Sequence, residues 1–411
     1  MLDCPAVARL ASSCRSLSSV VISVLAIAWT ISVSCSVAHS AIRVAISCVI
    51  CLTCWRHRVN RLTRRTAVPE LPAPTAGGVA CLGEPLVLAG AQAELHLAGA
   101  QAELHLAGAE ANVAAGLVAW GIPASFIGRL GDDAYGALIT SELTARGVDI
   151  SAVEIDPELP TGHYSKVAAP DTNGEPRSVS QYSRTGSAAS AMSPEFLDAP
   201  AVVAVLAHAS VVHCSGITPA LSPTCRAMMR RLLTDRPGID GPVCFDVNWR
   251  EQLWPDGDTA EVIALANLAD VVLVGADEAL RVMGTDDPIA LRRILPDPAT
   301  LVIKDGADQA LAVDRSGEEF VVPALRVDVV EPVGAGDAFA AGFLSGVVLD
   351  EDPESCLRRG HIGAAVTLTV AADSAPPPPD ELIEHLLICT DGEWAATSVS
   401  EAGFTVCGSR R

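Results

Sequence analysis

The stretch Val329-Val330-Glu331-Pro332-Val333-Gly334-Ala335-Gly336-Asp337 constrains this chain most, because it must end a β-branched run and open a helix within a few residues. An apolar, Ala-rich segment of helical length, AFAAGFLSG over residues 338–346, follows directly. Side chains this small leave the backbone N–H groups of Ala335, Gly336 and Asp337 open, where a helix N-terminus carries unsatisfied donors and positive partial charge. Such a site suits an anion, and phosphate above all. Asp337 has two readings here: a cap on a core helix, or a base for a hydroxyl that attacks phosphorus. The segment alone leaves both open.

A chain of 411 residues exceeds the roughly 300 that one α/β core uses, so part of it is extra. The excess reads as N-terminal. Six of the thirteen cysteines (Cys4, Cys14, Cys35, Cys48, Cys51 and Cys54) fall within residues 1–75, among basic residues and few acidic ones. The apolar run from Val20 to Val37 is marginally long enough to span a bilayer, and Arg56, Arg58, Arg61, Arg64 and Arg65 follow a second apolar stretch. We expect a leader that does not fold with the rest, as a targeting piece or a translated upstream region; a membrane tether through residues 20–54 is the alternative. Cys51 and Cys54, with His57 close behind, lack a second pair at the spacing that a closed four-ligand metal site needs. Cys81, Cys214, Cys225, Cys244, Cys356, Cys389 and Cys407 lie mostly within apolar runs and read as reduced core residues of a cytoplasmic body. A net charge of −21 argues against nucleic acid as a partner and directs attention to a small-molecule site.

After a Pro, Ala and Gly-rich linker at 69–78, residues 79–88 read as the first buried strand. LAGAQAELH at 88–96 then recurs unchanged at 97–105, and LAGAE begins a third copy, a local duplication expected to form an enlarged loop or short helix. A helix from Ala109, a strand over ASFIGRLG and a helix over 135–146 set up the alternation of a parallel sheet covered by helices on both faces. Residues 161–168 and 177–184, joined by Asp171-Thr172-Asn173-Gly174, form a hairpin expected to act as a lid, and as an intersubunit lid to imply a homo-oligomer. Strands at 211–214, 243–246, 271–274 and 301–304 resume the rhythm, with helices at 222–234, 259–268 and 277–283 between them. A second hairpin (310–314 with 319–322), a helix over 353–370 and another over 380–388 complete the body, and the tail beyond Cys389 reads as loosely structured.

GAGDAFAAGF, together with AGAEANVAAGL and GRLGDDAYG upstream, resembles the two signature regions of the ribokinase-like carbohydrate kinases of the phosphofructokinase B type, over about residues 79–388. The resemblance implies an α/β fold of three layers, with a mainly parallel central sheet and a small β lid built from about 84–107 and 160–185. Within that family the PTGHY run at 160–164, YSRTGSAA at 182–189 and FDVNWR at 245–250 most resemble the 2-keto-3-deoxygluconate kinases. The implied activity is ATP-dependent phosphorylation of a sugar acid. A kinase for a neutral sugar, of fructokinase or ribokinase type, is the alternative, and a non-catalytic sugar-binding regulatory protein is the second.

The roles implied by the resemblance fall on residues that suit them. Asp337 would be the base, and the backbone of Gly334, Ala335 and Gly336 would hold the transferring phosphoryl. Gly108 and Asn112 would contact the sugar, with Gly108 chosen over Gly90 and Gly99 because only the last repeat runs on into Asn112. Tyr164, Tyr182, Arg184 and Arg250 would hold the keto acid, the two arginines offering planar, permanently charged forks to its carboxylate. Lys304, Gly306 and Ala307 would lie along the nucleotide, and Glu278 would organise Mg2+ through water. Two departures from the family pattern, Gly275 in place of an asparagine and Glu331-Pro332 in place of Asp-Thr, bear on Mg2+ and on a monovalent cation.

Overall fold

The computed structural model describes residues 77–89, 104–170, 176–254 and 257–406. The expectations for the leader, for the early repeat copies and for the turn at 171–174 lie outside these residues. In chain order the elements are β1 (Val79–Leu82), β2 (Leu86–Ala89), β3 (Leu104–Ala107), α1 (Ala109–Ala119), β4 (Ala124–Gly131), α2 (Ala134–Ala145) and β5 (Asp149–Asp156). They continue with β6 (His163–Pro170), β7 (Pro176–Ser183), α3 (Pro200–His208), β8 (Val211–Ser215), α4 (Pro223–Asp235), β9 (Val243–Asp246), α5 (Thr259–Ala266), β10 (Val271–Gly275) and α6 (Ala276–Met283). Next come α7 (Pro288–Ile294), β11 (Thr300–Asp305), β12 (Gln309–Asp314), β13 (Glu319–Pro323), β14 (Arg326–Val327), α8 (Ala335–Val348) and α9 (Pro353–Leu368). The described chain ends with α10 (Asp380–Ile388), α11 (Asp391–Ala396), β15 (Ser398–Ser400) and β16 (Gly403–Thr405).

Nine strands form the central sheet in the order β13-β12-β11-β10-β9-β8-β1-β4-β5. From β11 to β5 every pairing is parallel, and β12 and β13 extend the sheet as an antiparallel hairpin. The strand sequences explain this: VACL, VVHCS, VCFD and VVLVG are near-continuous apolar runs, as strands covered on both faces require. Alternate residues of β1 serve opposite faces. Val79 and Cys81 join a core layer with α1, α8 and α9, whereas Ala80 and Leu82 join one with α3, α4 and α5. Cys81, Cys214, Cys225, Cys244, Cys356 and Cys389 are buried and free, as their apolar surroundings suggested.

The expected single strand at 79–88 is broken in two. Gly83-Glu84-Pro85 separate β1 from β2, because Pro85 has no N–H for a ladder and the Glu110 carboxyl occupies the space beside Gly83. β2 therefore leaves the central sheet and joins a second one, ordered β3-β2-β6-β7, which is the lid. The end of the second repeat copy and the start of the third together supply β3, with Leu86 opposite Ala107 and Val87 opposite Leu106. The hairpin read from the sequence is β6 with β7, Tyr164 standing opposite Tyr182. Asp133 anchors the lid's root: one carboxylate oxygen caps α2 at Gly136 N (2.8 Å) and the other accepts from Thr161 N (2.8 Å).

Residues 390–406 of the tail are ordered. Trp394 is fully buried and donates Nε1–H to Pro323 O at 2.8 Å, and β15 pairs with β14 and β16 in a third sheet. A sequence reading passed over this segment because its elements span only a few residues each. No helix among the described residues is long and apolar enough to cross a membrane.

Candidate active site

Ligands in open parallel sheets bind beyond the carboxyl ends of the strands. Here β9 ends on Asp246, β10 ends on Gly275 ahead of α6, and β11 carries Lys304. These ends open into a cavity of about 560 Å³, which the lid strands cover from the other side. Its wall includes Gly108, Asn112, Tyr164, Tyr182, Arg184 and Arg250, all six residues expected at a sugar, together with Asp337, Gly334, Gly336, Lys304 and Glu278. Ala335 opens α8 between the two glycines. Gly306 and Ala307 do not line this cavity; they sit on the exposed turn after β11.

Two helices set the reacting end. α1 and α8 approach closely because Gly116 faces Ala341, where a Cβ on Gly116 would lie 2.8 Å from that of Ala341. This contact lets Asn112 Nδ2 donate to Asp337 Oδ2 at 2.9 Å. Asp337 does not cap its helix. Gly334 is the N-cap residue, no side chain caps this terminus, and the Asp337 carboxylate turns instead to Asn112. Burial pushes its pKa up to about 6, Asn112 draws it down, and Asp246 adds a repulsion that Arg250 and Lys304 offset.

Gly334 and Gly108 occupy positions that only glycine fills without strain. Gly334 has φ +83°, and a Cβ there would meet Asp373 O at 1.9 Å. Gly108 has φ +113° and would meet Glu84 O at 2.6 Å. The first holds the expected anion loop flat against the chain after α9, and the second lets the β3–α1 junction pass the β1–β2 junction.

Each cation lining the cavity has a carboxylate partner. Lys304 Nζ bonds Asp246 Oδ2 at 2.8 Å, Arg250 Nη1 lies 3.6 Å from Glu278 Oε1, and Arg184 Nε lies 3.3 Å from Glu84 Oε2. Burial alone would lower the Lys304 pKa, but Asp246 and Glu278 together raise it and keep the ammonium charged. That ammonium lies 3.9 Å from the point where a Gly336 Cβ would stand, so it faces the anion loop. Glu278 is raised by desolvation, against the pull of Lys304, and its Oε2 accepts from Gly275 N at 3.0 Å. On the lid, Tyr164 and Tyr182 stack at 5.0 Å, and the Arg184 guanidinium lies 4.5 Å over the Tyr182 ring.

Residues 79–380 match the pfkB family carbohydrate kinase model. The chain belongs to the pfkB family of carbohydrate kinases. A 2-dehydro-3-deoxygluconokinase of Thermoproteus tenax is 34% identical over 65% of this chain and 80% of its own length. A 2-dehydro-3-deoxygalactonokinase of Haloferax volcanii is 31% identical over 67% of this chain and 85% of its own. Among solved structures, a PfkB protein from Polaromonas sp. JS666 superposes with a TM-score of 0.61 at 30% identity, covering 70% of this chain and 95% of the other. The fold is ribokinase-like and the pfkB chain is a phosphotransferase acting on a sugar.

Asp246, Asn248 and Asp373 are among the wall residues of this pfkB kinase that escaped the sequence reading as site residues. Asp246 had a signal, a carboxylate closing the apolar strand VCFD, which no buried strand keeps without a partner. Asn248 has a positive φ of +38°, which marks a sharp turn just past β9. Asp373 carried no local signal. It reaches the site only because α8 and α9 pack antiparallel and return the chain to the anion loop, where Asp373 Oδ2 accepts from Tyr164 Oη at 3.2 Å.

Proposed function

We propose that the chain transfers the γ-phosphoryl group of ATP to the terminal primary hydroxyl of 2-keto-3-deoxygluconate, the same compound as 2-dehydro-3-deoxygluconate, giving the 6-phosphate. The observation that carries this reading is one cavity whose wall holds a half-buried carboxylate, Asp337, the loop expected to bind an anion, and two guanidinium groups, Arg184 and Arg250. Arg184 and Arg250 already pair with Glu84 and Glu278, and a sugar-acid carboxylate would engage their remaining N–H donors, which a neutral sugar would meet only with hydroxyls. Relatives named for 2-keto-3-deoxy sugar acids support the same substrate class.

In this reading Asn112 orients Asp337, whose free oxygen takes the proton of the sugar hydroxyl as that oxygen attacks phosphorus. The N–H groups of Gly334, Ala335 and Gly336, with Lys304 alongside, stabilise charge on the transferring group. Tyr164 and Tyr182 lay flat, partly apolar surface along the sugar chain. The nucleotide runs from the anion loop toward the turn at Gly306 and Ala307.

The donor set suits Mg2+. Asp246 Oδ1 is buried without a hydrogen-bond partner, and Glu278 lies close enough to Asp246 to raise its proton affinity. Asp246 and Glu278 would hold the ion, and when bound it neutralises phosphate charge.

The test is ADP release from purified protein with 2-keto-3-deoxygluconate, its galacto epimer, fructose and ribose, each with and without Mg2+. We expect kcat/KM for a sugar acid to exceed that for either neutral sugar by about a hundredfold, the loss of two charge-assisted contacts. Preference for fructose or ribose would refute the sugar-acid assignment.

A further inference from the structure

The match to the family ends at residue 380, yet residues 391–405 touch the entry to the anion loop directly and the helix that follows it through a line of rings. The first contact comes through the backbone. β15 runs parallel to β14, with Arg326 opposite Ser398 and Val327 opposite Val399, and Asp328 N donates to Val399 O at 3.0 Å. Asp328 is the residue at which the chain leaves β14 for the loop that ends on Gly334. A few residues on, Val330 N donates to Leu368 O at 2.8 Å, so the approach to the loop is held both by the tail and by the end of α9.

The second contact comes through a line of rings. Trp394 lies 6.4 Å from His361, and His361 meets the edge of Phe339 at 5.5 Å. Phe339 is two residues beyond Asp337 on α8 and is buried. The tail is docked firmly enough to transmit these contacts. The buried Arg358 guanidinium donates to Leu386 O and Cys389 O, each at 3.0 Å, bonds Asp391 at 3.3 Å and lies 5.0 Å over the Trp394 ring. Val399 itself is 2% exposed and belongs to the core layer of α8 and α9.

We propose that residues 391–405 are a positioning strap, in which Val399 and Trp394 fix the loop 328–337 in the geometry needed for phosphoryl transfer without touching the sugar. This rests on the reading of that loop as the phosphoryl site. A strap of this kind acts on turnover and leaves sugar binding alone, since the residues expected at the sugar come from α1, the lid and the segment after β9, and loosening the strap does not push on Asp373, which ties the loop to Tyr164 of the lid.

The direct test is Asp328→Pro in the full-length chain. Proline deletes the N–H that bonds Val399, and the strand conformation of the preceding Val327 tolerates it. We expect amide hydrogen exchange over residues 329–337, measured without substrate, to quicken by about threefold or more. Turnover should fall about tenfold while the sugar KM stays within about twofold. Val399→Ala, which loosens β15 while keeping every backbone donor, should change both readouts in the same direction, and it serves if the proline variant does not fold. Unchanged turnover per folded molecule in both variants overturns the strap. An Asp337→Asn variant with normal turnover would instead overturn the underlying reading of the loop, a separate assay whose result does not alter the exchange measurement.

Discussion

Asn112 Nδ2 donates to Asp337 Oδ2 at 2.9 Å, joining two signature segments that lie 225 residues apart in sequence. The bond favours the ionised form of Asp337, whereas burial and the neighbouring Asp246 favour the protonated one, and the balance leaves its pKa at about 6. As the proposed base, Asp337 must be ionised to work, so kcat/KM should fall as pH drops through about 6. Asn112→Ala removes a stabiliser of the ionised form and should move this acid limb up by about one pH unit. Rate profiles between about pH 5 and 8 decide it, and an unmoved limb would assign the titration to another group.

Arg184 and Arg250 differ in burial, and the difference separates binding from stability. The Arg184 side chain is 8% exposed and its partner Glu84 is fully buried and also held by Ser187 Oγ at 3.0 Å. Arg250 is half exposed beside Glu278. Arg184→Met strands a buried carboxylate and should cost about 3 kcal/mol, whereas Arg250→Met should cost less than about 1 kcal/mol. Either change should raise the KM for the sugar acid by about tenfold or more. Adding Glu84→Gln to Arg184→Met should recover most of the stability and none of the KM, as chemical denaturation and steady-state kinetics would show.

How much of this was legible follows from the range of the signals. Strands covered on both faces announce themselves as VVHCS or VVLVG, and the helices between them stop and start on Gly, Pro, Ser and Asp, so the alternation and most boundaries could be read directly. The six residues expected at a sugar came from motif resemblance and converge on one cavity. What escaped depends on tertiary closure. Asp373 enters through the packing of α8 on α9, Glu84 is defined by an arginine 100 residues away, and β15 exists only because β14 offers it an edge. The Asp337 cap failed for a related reason: a local rule for helix starts was overridden by an amide from a different helix.

Glu110 is fully buried on α1, accepting from Ser215 Oγ at 2.7 Å through Oε1 while Oε2 has no hydrogen-bond partner. Desolvation pushes its pKa up to about 7 against the pull of the Ser215 bond. A carboxyl that holds its proton more tightly when folded contributes stability below its unfolded pKa, and this contribution is lost as pH rises through about 7. Glu110→Gln keeps the acceptor for Ser215 and cannot ionise. It should therefore be more stable than the parent at about pH 8, by roughly 2 kcal/mol, and nearly equal to it at about pH 5. Urea midpoints at the two pH values test this, and a parallel shift at both would show that the proton is not involved.

Gly334 and Gly306 both have positive φ, at +83° and +49°, but their surroundings differ. A Cβ on Gly334 would meet the Asp373 carbonyl at 1.9 Å, whereas nothing lies within 4 Å of the Gly306 position. Gly306→Ala should therefore cost only the left-handed backbone, about 1 kcal/mol, and leave turnover with saturating ATP near normal. Gly334→Ala must also push the anion loop away from Asp373, and with it the N–H groups of Ala335 and Gly336. Misplacement of about 1 Å in such a loop should lower kcat by about a hundredfold. Because Asp373 also holds Tyr164 of the lid at 3.2 Å, that push should reach the lid as well, so Gly334→Ala should raise the sugar KM where Gly306→Ala does not. Steady-state kinetics on the two glycine variants, read against their thermal stability, would show whether loop and lid move through that shared aspartate.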